Sequence, residues 1–320
     1  MKISQAGILF LITITVLASA GCGRIIARKD LVDGAKAYKD RKFDQAEALF
    51  RDAVQRDPSN DTAQLFLART LHSEYAANRT DTAKAEQAIT EYKKTIDEYK
   101  KAVTANASQL SGDRTPCSYS DYEVSKLQGN KRAALQAFKT LSDSLKAVAN
   151  LLDNLQKEDE RVQWLTQWGD DTSLPDCLRA EAYNSLAAKE NTCANDITES
   201  PDVKKTVQKD GKAAFVFSKP PKPEDYETLK RCVQQGTDYI DKALAKDQTS
   251  DSIWSYKTSL LIQAMRLAEM EGRTADKDAL KAQADEAKAK FSELAKSRKE
   301  KSDAEDAQQK AEQEATDSKK

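Results

Sequence analysis

Five cysteines are the residues of this chain with the clearest capacity for chemistry. A thiolate can bind a metal, attack a substrate or pair in a disulfide. No pair of these cysteines forms a CxxC motif, so we expect neither a zinc site nor a dithiol redox site. Four of them can pair with one another in an exported protein, and these are the disulfide candidates: Cys117, Cys177, Cys193 and Cys232.

The fifth cysteine, Cys22, follows a segment with the layout of a secretory signal. Lys2 precedes an apolar run from about Ala6 to Ala18, and small residues follow that run. The run is shorter than the roughly 20 residues that a membrane-spanning helix needs. We therefore expect residues 1–21 to be the signal peptide of an exported protein.

The residues SAGC that end at Cys22 resemble a bacterial lipobox, in which the cysteine receives a lipid and starts the mature chain. The usual pattern has Leu, Val or Ile where this chain has Ser19. The resemblance implies lipidation of Cys22 and a membrane anchor facing the periplasm, and Gly23 favours the outer membrane because it is not aspartate. The alternative is ordinary signal-peptidase cleavage after Ala20, which would give a soluble periplasmic protein.

Enzymatic motifs are absent from the sequence. His72 is the single histidine, and there is no nucleophile elbow, P-loop or dinucleotide fingerprint. Carboxylates are numerous, but no pair stands out in an apolar setting. The net charge is −1 and no dense basic stretch occurs, so we do not expect nucleic acid as a partner. We expect no enzymatic activity, no cofactor and no metal.

The composition favours a mostly helical chain, because 32% of the residues are charged, 39% are hydrophobic, and glycine and proline are scarce. The clearest pattern runs from Gly34 to Asn60. It predicts two antiparallel helices, with small residues where the helices approach closely and aromatic residues beside them. One such pair cannot bury its apolar face, so it needs stacked neighbours.

This spacing resembles the tetratricopeptide repeat (TPR), a helix–turn–helix unit of about 34 residues. Six positions of the repeat are matched in one register, by Gly34, Phe43, Ala46, Phe50, Ala53 and Pro58. The resemblance implies an all-α fold of stacked antiparallel helix pairs with a concave surface for a partner protein. Carried over residue by residue, the resemblance also gives three candidates for residues that line this concave surface, the groove that would hold the partner: Tyr38, Arg69 and His72.

Weaker matches extend the resemblance along the chain. We expect TPR-like repeats over 22–106, a helical linker region over 121–170, and further TPR-like repeats over 174–296 with an insertion at 195–223. The end of the chain, 297–320, is polar all round, and we expect it to be a disordered charged tail.

Two β-leaning runs flank Asp210-Gly211 inside the insertion and predict a small β-hairpin near 203–218. Four cysteines allow three pairings. Cys193 ends the helix before the insertion and Cys232 lies in the helix after it, so a bridge between them would fix the base of the insertion. We place that pairing first, and it leaves Cys117 for Cys177.

Together these features predict an exported, lipid-anchored TPR-type scaffold of the bacterial cell envelope that binds a partner protein on its concave surface. On this interpretation a small-molecule ligand is not expected. The alternative is a periplasmic solute-binding or transport-accessory protein, with a ligand near Trp164 and Trp168. Those two residues lie one helical turn apart, a spacing that also suits a contact in the protein core.

Overall fold

The computed structural model describes residues 23–209 and 211–318 and is mostly helical. The expected signal peptide and Cys22 lie outside the described residues. Within those residues no helix is long and apolar enough to cross a membrane. The chain divides into two compact units. The first contains residues 23–114 and Leu127–Arg161, and the second contains Thr115–Lys126 and 162–318.

The helices and strands follow one another in this order: α1 (23–39), α2 (Phe43–Arg56), α3 (Asp61–Ala77), α4 (Thr82–Ala105), α5 (Ala107–Leu110), a 3₁₀ turn (Pro116–Ser118), α6 (Asp121–Lys126), α7 (Gly129–Asn154), α8 (Glu158–Asp170), α9 (Asp176–Thr198), β1 (Lys204–Lys209), β2 (Lys212–Phe217), α10 (Pro223–Leu244), α11 (Asp251–Met270) and α12 (Thr274–Asp317).

In the first unit, α1 and α2 pack closely at Gly34. A Cβ atom added to Gly34 would lie 2.7 Å from Cε1 of Phe50, closer than two carbon atoms approach without displacement. Phe50 is fully buried, as are Ala46 and Ala53 on the same face of α2. The small and aromatic residues therefore lie where their spacing predicts, at the contact between two helices.

The following helices extend this packing. The Phe50 ring stacks on Phe66 of α3 with 5.4 Å between ring centroids. α2 and α4 run parallel, because two contacts join them with nearly the same offset: Lys84 to Glu47, and Arg51 to Gln87 at 2.7 Å. Neighbouring helices are therefore antiparallel and alternate helices parallel from α2 to α4.

The second helix pair is longer than the TPR pattern predicts. The loop between α3 and α4 contains only residues 78–81. The extra residues instead lengthen α3, which ends at Ala77. Side chains cap the starts of both helices: Asn60 Oδ1 accepts from Ala63 N at 3.0 Å, and Asp81 Oδ1 accepts from Lys84 N at 3.3 Å.

In the second unit, α9, α10 and α11 form a comparable layer. α9 and α11 run parallel, because Asn184 contacts Ser252 at 3.0 Å and Asn195 contacts Gln263 at 3.3 Å, with the same offset. α10 runs antiparallel to both. A Cβ on Gly236 of α10 would lie 2.5 Å from Leu260 Cδ2, so this glycine allows a close helix contact as Gly34 does.

The predicted β-hairpin is confirmed. β1 and β2 pair antiparallel, from Lys204 opposite Phe217 to Lys209 opposite Lys212. The hairpin contacts α11 at its base, where the Arg266 guanidinium lies 4.6 Å from the centre of the Phe217 ring. The Phe217 backbone N–H donates to Glu269 Oε1 at 3.4 Å.

Two disulfides join the four cysteines of the second unit, Cys117 to Cys177 and Cys193 to Cys232. This is the pairing placed first from the sequence. The second bridge links α9 to α10 on either side of the hairpin. Two disulfides in one chain are typical of an oxidising, exported environment.

The end of the chain differs from the expected disordered tail over 297–320. α12 continues through this segment to Asp317, and its last turns contact α6: Tyr122 OH donates to Glu312 Oε1 at 3.0 Å, and Lys301 Nζ donates to Glu123 Oε2 at 2.7 Å. The segment is rich in Ala, Glu, Gln and Lys, which are strong helix formers, and pairs such as Lys299–Asp303 add support along the helix. This segment therefore forms a helix although it has no apolar stripe.

Candidate partner-binding face

The structure brings the three groove candidates of the first unit close to one another. The hydroxyls of Tyr38 on α1 and Ser73 on α3 lie 3.0 Å apart, and Ser73 Oγ also donates to the Arg69 carbonyl at 2.9 Å. His72 lies between Arg69 and Ser73 along α3. Tyr38, Arg69 and His72 are half-buried, so each is held by the fold and still reaches solvent.

A third helix contributes a carboxylate. Arg69 Nη2 lies 3.8 Å from Asp143 Oδ2 on α7. The Arg69 side chain is 38% exposed and that of Asp143 is 66% exposed. We call this surface the α1–α3–α7 face and define it by five residues: Tyr38, Arg69, His72, Tyr92 and Asp143.

Tyr92 of α4 lies beneath His72. The two rings are nearly perpendicular, and His72 Nδ1 lies 3.4 Å from the Tyr92 hydroxyl. Burial raises the pKa of Tyr92 to about 12, and burial together with the charge of Arg79 lowers the pKa of His72. Proton transfer from the phenol to the imidazole is therefore unfavourable.

The chemistry of the face suits recognition. It presents a guanidinium, a carboxylate, a phenol and a neutral imidazole, all partly open to solvent. An exposed ion pair as loose as Arg69–Asp143 contributes only about 0–1 kcal/mol, so either charge can exchange its partner at little cost. A carboxylate on a bound chain could then accept from Arg69, whose planar fork favours such contacts.

Two members of this face do not follow from the sequence interpretation. Asp143 lies on α7, which the sequence assigns to a linker region. The amphipathic stripe of α7, with Phe138, Leu141 and Leu145 all buried, was the available signal that this helix packs like its neighbours. The contact of Tyr92 with His72 depends on the way α3 and α4 cross, which the sequence of either helix alone does not show.

A second polar cluster lines an open pocket of about 580 Å³ between α2, α3 and α4. Lys84 Nζ lies 2.7 Å from Glu74 Oε2 and also contacts Glu47. Burial, followed by the negative charge of Glu47, raises the pKa of Glu74. Glu74 Oε1 is buried and has no hydrogen-bond partner among the described residues.

Two other groups of residues in the second unit offer less as binding sites. Glu190, Cys193 and Cys232 place potential metal ligands within 4.8 Å of one another, but the two cysteines are bonded together and supply no thiolates. Trp168 is buried, as a core contact would be, and Trp164, one helical turn before it, is half-buried.

Comparison with known proteins assigns this chain to no family. No protein-family model matches the chain, and no curated protein has a matching sequence.

Proposed function

We propose that this protein is an exported, TPR-type scaffold of the bacterial cell envelope, anchored through a lipid on Cys22, that binds a partner protein on the α1–α3–α7 face. The observation that carries the proposal is the meeting of Tyr38, Arg69 and Asp143 from three separate helices on one half-exposed polar surface. Stacked helix pairs commonly present such a surface to a partner chain.

The repeat assignment is supported by two features. Glycines lie at the closest helix contacts, at Gly34 in the first unit and Gly236 in the second. Alternate helices run parallel in both units, from α2 to α4 and from α9 to α11, as stacking of helix pairs requires. The disulfides support export to an oxidising compartment.

The start of α1 suits a position at a membrane surface. Ile25 and Ile26 are exposed, with 73% of Ile25 open to solvent, and exposed Arg24 and Arg28 flank them. These residues follow Cys22 directly. Apolar side chains interleaved with cations match the boundary between lipid tails and headgroups, so this segment would add a second contact to that of the lipid anchor.

A photo-crosslinking amino acid placed on the face tests partner binding. Position 62 suits the probe, because Thr62 is exposed on α3 and lies two helical turns before Arg69. Position 90 is a matched control, because Thr90 is exposed on α4. Irradiation of intact cells should give an adduct of one discrete mass from position 62 and none from position 90. Equal adducts from both positions, or none from either, would contradict the proposal.

Intact-protein mass spectrometry of the membrane fraction tests the anchor. The expected mass is that of a chain starting at lipid-modified Cys22, four hydrogens lighter before reduction than after it because of the two disulfides. An unmodified chain starting at Gly21 would show ordinary signal-peptidase cleavage and remove the anchor from the proposal.

A periplasmic solute-binding or transport-accessory role is the second candidate, and the pocket at Glu74 favours it. The pocket is lined by the carboxylates of Asp44 and Asp81, which could accept from an amine or guanidinium of a small solute. Such a solute should raise the melting temperature of the wild-type protein and not that of Asp44→Asn. The same melting temperature with and without a panel of amines would remove this candidate.

A further inference from the structure

The β-hairpin exposes large apolar side chains. Phe215 is 58% exposed, Val216 is 37% exposed and Val207 is 36% exposed. A two-stranded ribbon has two faces, and the register puts Phe215 on one face and the two valines on the other. Both faces therefore present apolar groups to solvent, and contact with the helices is at the base, through Phe217.

The same segment is strongly basic. Residues 202–222 contain six lysines and two aspartates, while the whole chain has a net charge of −1. Lys205, Lys219 and Lys222 are exposed. Lys204 Nζ lies 4.3 Å from the centre of the Phe215 ring, so cationic and aromatic groups are directly adjacent. The segment that carries the exposed apolar residues is thus also the one in which lysines are concentrated in the sequence.

We propose that this hairpin docks on an anionic phospholipid surface. The phenyl ring and the valines would enter the boundary between headgroups and tails, and the lysines would contact lipid phosphates while their stems lie along the apolar region. Each lysine near an anionic leaflet adds to the attraction. Lipid is favoured over a protein groove because both faces of the ribbon carry apolar groups, and a membrane interface can surround a thin hairpin on both faces.

The inference goes beyond the proposed scaffold and does not depend on it. A chain without lipid on Cys22 would still bring the hairpin to an anionic surface. A lipid-anchored chain would gain a second contact with the same membrane surface. The test must therefore measure the hairpin itself and not the membrane binding of the whole protein.

Hydrogen–deuterium exchange of the full chain on vesicles makes this measurement. The protein is used as purified, on vesicles of phosphatidylcholine alone and on vesicles in which about one third of the lipid is phosphatidylglycerol. Both vesicle types bind a lipid anchor equally, so the comparison isolates the effect of the negative charge on the lipid headgroups. We expect exchange at 204–217 to slow about threefold or more on the anionic vesicles, and exposed helix at 299–312 to remain unchanged.

Two variants sharpen the test. We expect the slowing of exchange to disappear in Phe215→Ser. We expect it to disappear also in the triple variant with Lys205→Gln, Lys219→Gln and Lys222→Gln. A matched triple change on α12, at Lys281, Lys296 and Lys299, removes the same charge from exposed positions and should leave the slowing intact. Equal exchange of the wild-type hairpin on both vesicle types would overturn the proposal, as would slowing that persists in both hairpin variants. Slowing that appears only with a protein partner would overturn it too.

Discussion

Gly34 of α1 meets the ring of Phe50 of α2 at a distance that leaves no room for a side chain. Three ring carbons lie within 3.1 Å of the position that a Cβ would occupy. The ring is fully buried and stacks on Phe66 of α3, so it cannot turn away without disturbing the next helix. One glycine thus sets the separation of the first helix pair and the position of its aromatic core.

Replacing this glycine should destabilise the first unit. Gly34→Val forces a branched side chain against the Phe50 ring, and we expect the free energy of unfolding to fall by about 1–3 kcal/mol. Ala35→Val introduces the same side chain at the next, half-buried position and should cost under about 1 kcal/mol. Chemical denaturation compares the two variants, and equal losses would mean that the close contact does not matter.

The bridge between Cys193 and Cys232 should hold the base of the hairpin. It closes a loop with a sequence separation of 39 residues, so the double change Cys193→Ala and Cys232→Ala should cost about 3–4 kcal/mol of stability. Limited proteolysis should then cut faster within 199–222. Removing Cys117 and Cys177 instead should leave cleavage in that segment unchanged, and similar cleavage in both double variants would contradict the local role.

His72 should titrate below its usual range. Because burial lowers its pKa from 6.5, the stability that neutral His72 contributes is complete above pH 6.5 and is lost as the pH falls through the folded-state value. It is the single histidine of the chain, so one imidazole resonance in the NMR spectrum reports it without ambiguity. His72→Gln should lose this part of the pH dependence. A titration midpoint of the His72 imidazole at or above pH 6.5 would show that the ring is not buried as described.

Local features of this fold could be predicted because a few neighbouring residues determine them. The spacing of Gly34 and Phe50 predicts a close helix pair, and Asp210-Gly211 between β-leaning runs predicts the hairpin. Cysteine positions on either side of that hairpin led to a first pairing that the structure has. In each case the physical cause lies within a short stretch of chain.

Other features depend on contacts between distant segments. Asp143 joins the α1–α3–α7 face only because α7 packs against α4, which brings Asp143 within reach of Arg69 on α3, and periodicity within α7 does not reveal this. The end of α12 remains helical because of its intrinsic helix preference and its contacts with α6, which lies far away in sequence. The length of α3 depends on how far it continues before Asn78, and a repeat template has no position for such an extension.

We propose that Arg69 acts in binding a partner and not in holding the fold. Since its ion pair with Asp143 is exposed and loose, Arg69→Glu should change the free energy of unfolding by less than about 1 kcal/mol. Arg231→Glu makes the same charge reversal at an exposed position on α10 and serves as the control.

The most direct measurement is the yield of the photo-crosslinked adduct from position 62 in these two variants, in intact cells. We predict that Arg69→Glu reduces the adduct about tenfold or more while the protein stays folded, and that Arg231→Glu leaves it at the wild-type level. An adduct that survives Arg69→Glu unchanged, or that both variants reduce equally, would contradict a partner-binding role for the α1–α3–α7 face.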